Sequence, residues 1–277
     1  MSHSIQAATL GLMLAIAGAA YAAAPPYTAA DFTQVRKFDA HVHVNTADGE
    51  FLSVAAKDGF EILSINVDYP DFPPLELQAD IAHKLLAADP EHFHFATTFS
   101  MKGFGGQDWT ADTIRHIDAE VQRGALAVKV WKNIGMVEKN AQGHYILLDD
   151  PGFDGVMRHL EERGIPLIAH QAEPKNCWLP QDAMTTDNDR SYFRDHPEYY
   201  MYLHPERLSY EALMAARDRF VAQHPKLNFV GAHMASLEWS VKRVATFLDA
   251  YPNATIDLAA RMTQVQYQSK RGYARVR

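Results

Sequence analysis

Phe38-Asp39-Ala40-His41-Val42-His43-Val44 alternates polar and apolar side chains with a period of two. In a strand, residues two apart face the same side, so His41 and His43 project together while Val42 and Val44 face the opposite layer. Two imidazoles held in this way can chelate one divalent cation. The run is the first of seven short apolar stretches, at 38–44, 61–67, 92–98, 125–131, 165–170, 227–233 and 254–258. Between them lie amphipathic stretches with helical spacing, at 75–88, 111–122, 151–163, 210–223 and 237–250. Strand and helix alternating in this order predict βα units around a parallel sheet, an α/β barrel of the TIM type with seven of its eight units visible.

Composition narrows the function classes. The 277 residues carry 34 acidic and 26 basic side chains, a net charge of −8, which argues against a nucleic-acid partner. With 47% hydrophobic and 22% charged residues the chain is of ordinary globular composition and can bury a substantial core. Its single cysteine, Cys177, excludes an intramolecular disulfide framework and any zinc site made of paired thiolates. Histidine, at 14 residues, is unusually frequent, and those in a patterned setting merit a functional reading.

The N-terminal 22 residues contain an apolar stretch over 7–20 followed by Ala20-Tyr21-Ala22, the small-x-small form that a signal peptidase accepts. They are expected to be a cleaved secretory signal, giving a secreted or periplasmic protein. The stretch is shorter than the ~20 apolar residues of a membrane span, so no stable membrane association is expected after cleavage. The remaining domain is expected over 31–277. After the seventh strand the segment 259–277 reads as the start of a helix, so the barrel domain is expected to be incomplete at its C-terminal side.

His170 and His233 follow mostly apolar runs, which places them with His41 and His43 at the carboxyl edge of the sheet, where barrel enzymes keep their sites. Lys129 interrupts the apolar strand Ala127-Val128-Lys129-Val130-Trp131, where a charge needs a partner. Asp68, Lys132, Asn133 and Glu173 lie just beyond strand ends and are candidates for binding substrate or orienting ligands. Lys102-Gly103-Phe104-Gly105-Gly106 lacks the Gly-Lys-Ser/Thr of a phosphate loop and reads as a loop after strand three. The long connection 171–206 carries Trp178, Tyr192, Phe193, Tyr199, Tyr200 and Tyr202 and is expected to cover a site. Lys132, after strand four, and Arg190 and Arg194, in this connection, are candidate cations for a substrate carboxylate.

Asp39–His43 (DAHVH), 128–131 (VKVW), 168–173 (IAHQAE) and 230–236 (VGAHMAS) together resemble the amidohydrolase superfamily of metal-dependent (β/α)8 enzymes, most closely its amidohydrolase-related branch, over about residues 35–261. The resemblance implies that His41, His43 and His170 are metal ligands. It implies that His233 is a ligand in a binuclear centre or a catalytic, water-activating base in a mononuclear one. Lys129 stands where binuclear members carry a carbamylated bridging lysine. The family's strand-eight aspartate has no counterpart before the sequence ends, and Asp257, on strand seven, does not match that position.

The implied cofactor is one or two divalent cations, zinc first. The implied reaction is metal-dependent hydrolysis of a C–N or C–O bond in a small molecule. Two alternatives stand beside it: non-oxidative decarboxylation in the same branch, and a periplasmic fragment that binds metal or ligand without catalysis. The expected partner is a small-molecule substrate, together with a second copy of the chain in a homo-oligomer.

Overall fold

The computed structural model describes residues 28–69 and 71–268. The expected signal segment 1–22 lies outside the described residues, as do residues 269–277. Ahead of the main unit, Ala29–Thr33 forms a 3-10 turn capped by Thr28, whose backbone amide donates to Asp31 at 2.7 Å. The described residues from Arg36 onward form one compact unit.

Its sheet comprises β1 (Lys37–Val42), β2 (Phe60–Ile65), β3 (Phe93–Thr98), β4 (Ala125–Val130), β5 (Leu167–Ala169), β6 (Phe229–Gly231) and β7 (Ala254–Ile256). Every neighbouring pair is parallel and the spatial order equals the chain order, β1 to β7. The sheet is curled, since the Asp257 carboxylate after β7 meets the His41 ring on β1 at 2.7 Å, across 216 residues of sequence. Seven units of a TIM-type barrel are therefore present.

The helices are α1 (Glu50–Lys57), α2 (Leu75–Ala88), α3 (Trp109–Gln122), a one-turn α4 (Asn133–Met136), α5 (Asp154–Arg163), α6 (Asp187–Asp195), α7 (Tyr210–Gln223), a short turn α8 (Ala232–Ala235), α9 (Val241–Ala250) and α10 (Met262–Gln266). Among the described residues none is long and apolar enough to cross a membrane.

The period of two sorts each strand into a helix-facing and an inward row. Val128, Val130, Leu167, Ala169 and Phe229 pack under the helices. Leu63, Ile65, Ala96, Ala127, Ile168 and Ala232 fill the inside of the curl. Lys129 and His170 continue the inward rows of Ala127 and Ile168, so both side chains enter the interior rather than the helix layer.

Four sequence expectations are corrected. The strand expected over 38–44 ends at Val42, because the β1–β2 register slips between Asp39 and Val42 and the Val44 amide donates to Ser64 Oγ at 3.0 Å instead of to a ladder carbonyl. The strand expected over 227–233 ends at Gly231, and the helix expected over 237–250 begins at Val241, where the Ser240 hydroxyl caps it by accepting from the Arg243 amide. The 171–206 connection is more ordered than loop composition suggests. It holds α6 and several 3-10 turns around its own small core of Cys177, Met184, Phe193, Tyr200 and Met201.

Candidate metal centre

The residues between β6 and α9 account for the shortened elements. His233, Met234, Ala235 and Ser236 have φ values of 55°, 60°, 53° and 57°, four consecutive left-handed residues with side chains. Each costs about 1 to 2 kcal/mol relative to right-handed backbone, so tertiary contacts must hold the turn. Asp257 supplies two of them, accepting the His233 amide at Oδ1 (2.7 Å) and the Met234 amide at its backbone carbonyl (2.8 Å). Ser236 Oγ donates to the Ala172 carbonyl at 2.9 Å. From α7, the buried Tyr210 hydroxyl donates to the Ser236 carbonyl and the fully buried Arg217 guanidinium donates to the Ala235 carbonyl.

Gly231 is where this turn passes closest to its own strand. A Cβ there would stand 2.5 Å from the Ala235 Cβ. Gly231→Ala is expected to displace the turn and cost about 1 to 3 kcal/mol, the range for overpacking a filled core. Thermal unfolding checks it, and an unchanged midpoint would show that the turn can move aside freely.

The turn aims His233 at the other histidines. Its ring centroid lies 4.5 Å from that of His41 and 4.4 Å from that of His170, and His41 lies 5.4 Å from His43. The structure thus brings together His41, His43, His170 and His233, the four histidines that the sequence singled out. Lys129, fully buried, completes the set with Nζ 3.5 Å from His41 Nε2.

Hydrogen bonds fix which ring nitrogen is free on three of these histidines. His43 Nδ1 lies 2.7 Å from the Ile65 carbonyl and His233 Nδ1 lies 2.8 Å from the Ala259 carbonyl. Carbonyls only accept, so both Nδ1 atoms carry the proton and both Nε2 atoms present lone pairs. His41 Nδ1 donates in the same way to Asp257 Oδ2 at 2.7 Å. His170 Nε2 is buried without a hydrogen-bond partner, and such an atom in a polar cluster fits a ligand to a cation.

Burial holds all four imidazoles below their ordinary pKa, with His43 down to about 4 and His233 to about 3, so they are neutral near pH 7. Burial also lowers the Lys129 ammonium to about 7, against the opposing pull of the Asp257 charge. Burial pushes the Asp257 carboxyl up, yet the His41 and His233 contacts outweigh it and hold the group below its ordinary value, as a carboxylate.

Asp257 is the residue whose importance sequence reasoning missed. It brings a ligand atom within 4.8 Å of those of His41 and His233, making a His/His/Asp group that could hold a metal ion. Both of its oxygens are already engaged, Oδ2 by His41 and Oδ1 by the amides of His233 and Ala259. That pattern suits a carboxylate that orients a metal-ligating histidine from behind. A signal was present in the sequence: Asp257 ends an apolar run just as His170 does.

Other candidates separate cleanly. Asp68 is spent on the loop, accepting the Met101 amide at 3.1 Å. Lys132 pairs with Glu173, both largely buried, and its ammonium stands 4.8 Å over the Trp131 ring, itself edge-on to His170. Asn133 is buried, and its side-chain amide donates to Glu138 at 3.4 Å. Arg190 is tied to Asp187 and to the Gln181 and Met184 carbonyls, and Arg194 to Asp195. An arc of rings, Phe72 against His43, Tyr69 between Phe72 and Trp131, and Trp131 against His170, borders the cluster. The Tyr69 hydroxyl meets that of Tyr199 at 2.5 Å, which seats the 171–206 connection against the β2 end.

Comparison with known proteins places these features. A search of curated protein sequences returned no match. Among solved structures the chain is similar to an amidohydrolase II (14% identity, TM-score 0.50, covering 82% of this chain and 81% of that one). It also aligns with an uncharacterised TIM-barrel protein from Bordetella bronchiseptica (15% identity, TM-score 0.47, 76% of this chain) and with 2,6-dihydroxybenzoate decarboxylase from Rhizobium (14% identity, TM-score 0.45, 76% of this chain). It spans 60% of the length of the Bordetella protein and 68% of the Rhizobium enzyme. At such identities the first of these likenesses speaks for the fold alone. The sequence profile of the amidohydrolase family matches residues 38–276, a span that takes in every residue of the centre and all of the seven strands but Lys37. The chain belongs to the amidohydrolase family.

Proposed function

We propose that this protein is a metal-dependent hydrolase acting on a C–N or C–O bond of a small molecule, with His41, His43 and His170 as metal ligands. The observation that carries the reading is the uniform tautomer of His41, His43 and His233, each with Nδ1–H pinned from behind and the lone pair on Nε2, that of His41 facing Lys129 Nζ at 3.5 Å, beside the unpartnered Nε2 of His170. When bound, a divalent cation, zinc first among those that imidazole suits, supplies Lewis acidity and lowers the pKa of a water towards about 7.

The chain's own residues do the rest. His233, neutral and held by the Ala259 carbonyl, offers Nε2 either as a further ligand or as the acceptor of the proton that the attacking water gives up. Asp257 keeps the His41 proton on Nδ1 and so keeps its Nε2 available. Lys129, with its pKa near 7, is unprotonated in a large fraction of molecules at neutral pH, the form that can combine with CO2 to give a carbamate. The arc of Phe72, Tyr69 and Trp131 suits a flat substrate. The same set on an aromatic carboxylate would serve decarboxylation, which is the second reading. Export through the 1–22 segment belongs to the proposal as well.

Metal analysis by inductively coupled plasma mass spectrometry tests it. One or two equivalents are expected in the purified chain, with loss in His41→Ala and His170→Ala. Asp257→Asn is isosteric, but its amide N–H would force the His41 proton onto Nε2. It is expected to weaken the metal about 10- to 100-fold. Activity is read in parallel as ester, lactone or amide hydrolysis and as CO2 release from hydroxybenzoates. Absence of bound metal in the parent chain after zinc loading would overturn the proposal.

A further inference from the structure

We propose that Asp189, on α6 of the long connection, is a positioning residue for the metal centre, acting through Arg261 on the turn that presents Asp257. The inference rests on the reading of the centre given above. The turn 257–261 touches the centre at two residues. Asp257 Oδ1 accepts the amides of His233 (2.7 Å) and Ala259 (3.1 Å), and the Ala259 carbonyl accepts His233 Nδ1–H (2.8 Å). The turn is itself strained, with Ala260 at φ 57°, and closes with the Arg261 amide donating to the Leu258 carbonyl at 3.0 Å. A non-glycine residue in that conformation relaxes unless its neighbours hold it.

What holds it is outside the barrel strands. Arg261 donates through its guanidinium to Asp189 Oδ1 at 3.3 Å, with side-chain exposures of only 11% and 5%. Asp189 is fixed in turn, its Oδ2 accepting from Asn176 Nδ2 at 2.8 Å. A charge-assisted contact in so dry a setting is hard to give up without a replacement. A competing acceptor lies nearby. The Glu238 carboxyl is buried, accepts the Lys175 amide at Oε1 (2.7 Å), and feels the charges of both Arg261 and Asp189. If Asp189 is neutralised, Arg261 is drawn towards Glu238 and the turn follows. The seating of α6 therefore sets the position of Asp257, and with it the Nε2 lone pairs of His41 and His233.

The test compares the full-length parent with Asp189→Asn, and with Asp187→Asn as a control on the same helix, whose exposed carboxylate pairs with Arg190. Two quantities are read: amide hydrogen exchange in peptides containing His233, Met234 and Ala259, and the Zn2+ dissociation constant by competition with a chelating dye. Asp189→Asn is expected to speed exchange at these amides and to weaken Zn2+ about tenfold, the lower end for groups behind a ligand. Asp187→Asn is expected to change neither, and the exchanged pair Asp189→Arg with Arg261→Asp to recover both in part. Arg261→Lys, which keeps the charge but loses the planar fork, serves if Asp189→Asn does not fold. Unchanged exchange and unchanged Zn2+ affinity in both Asp189→Asn and Arg261→Lys overturn the proposal while leaving the metal centre standing. Faster exchange in a protein whose parent binds no Zn2+ supports the positioning role and removes the metal reading instead.

Discussion

In the metal-free protein, Lys129→Met is expected to raise stability at pH 7 by an amount on the order of 4 kcal/mol. The lysine's pKa falls from 10.5 in the open chain to about 7 in the fold, where burial outweighs the attraction of Asp257. Between those values the unfolded chain holds a proton that the folded chain has released. Folding therefore carries its full penalty below pH 7, and the penalty fades as pH rises from 7 towards 10.5. Methionine is close in shape and carries no charge, so its advantage is largest at and below pH 7 and shrinks across that interval. Urea unfolding of both proteins in chelator, at several pH values between 6 and 10, reads the difference. A gain independent of pH would mean that the ammonium finds a compensating partner.

The second large effect concerns Arg217, which clamps the turn that presents His233. Its guanidinium is fully buried on α7, stacked 4.4 Å from the Phe247 ring, bonded to Asp218, and donating to the Ala235 carbonyl in the left-handed turn. Arg217→Leu keeps the volume roughly constant but leaves that carbonyl unpaired and the turn without its main clamp. A loss of about 3 kcal/mol is expected, together with weaker metal binding because His233 is released. Chemical unfolding with an unchanged denaturant slope is the readout. Loss of metal without loss of stability would show that the turn has a second low-energy conformation. Neither loss would show that Tyr210 and Asp257 suffice to hold it.

Much of this molecule was legible in the sequence for a physical reason. The period of two in 38–44 and 125–131 fixes which residues face inward, and parallel strands put their carboxyl ends on one edge, so His41, His43, Lys129 and His170 could be brought together on paper. Helices 75–88 and 210–223 were read to the residue, since long amphipathic stretches with clear ends leave little freedom. What escaped is backbone whose conformation depends on distant partners. No local signal in Ala232-His233-Met234-Ala235-Ser236 announces four left-handed residues, because Arg217, Tyr210 and Asp257 impose them from elsewhere in the chain. The place of Asp257 at the end of an apolar run was legible, but its contact with His41 was not, since only the curl of the sheet carries β7 round to β1. Helix α6 went unread because its own short core, not its composition, makes it helical.

The sequential order of the strands has a kinetic consequence. Each ladder from β1 to β7 joins neighbours in the chain, so the sheet can grow unit by unit through contacts of modest sequence separation. The His41–Asp257 contact is different, joining residues 216 apart, and it forms only once every intervening unit is in place. On the proposed reading, metal affinity is a property of the last step in folding and not of any partly built sheet. Added Zn2+ should leave the refolding rate unchanged and slow unfolding, which would make the ion a lock on the assembled sheet rather than a nucleus for it.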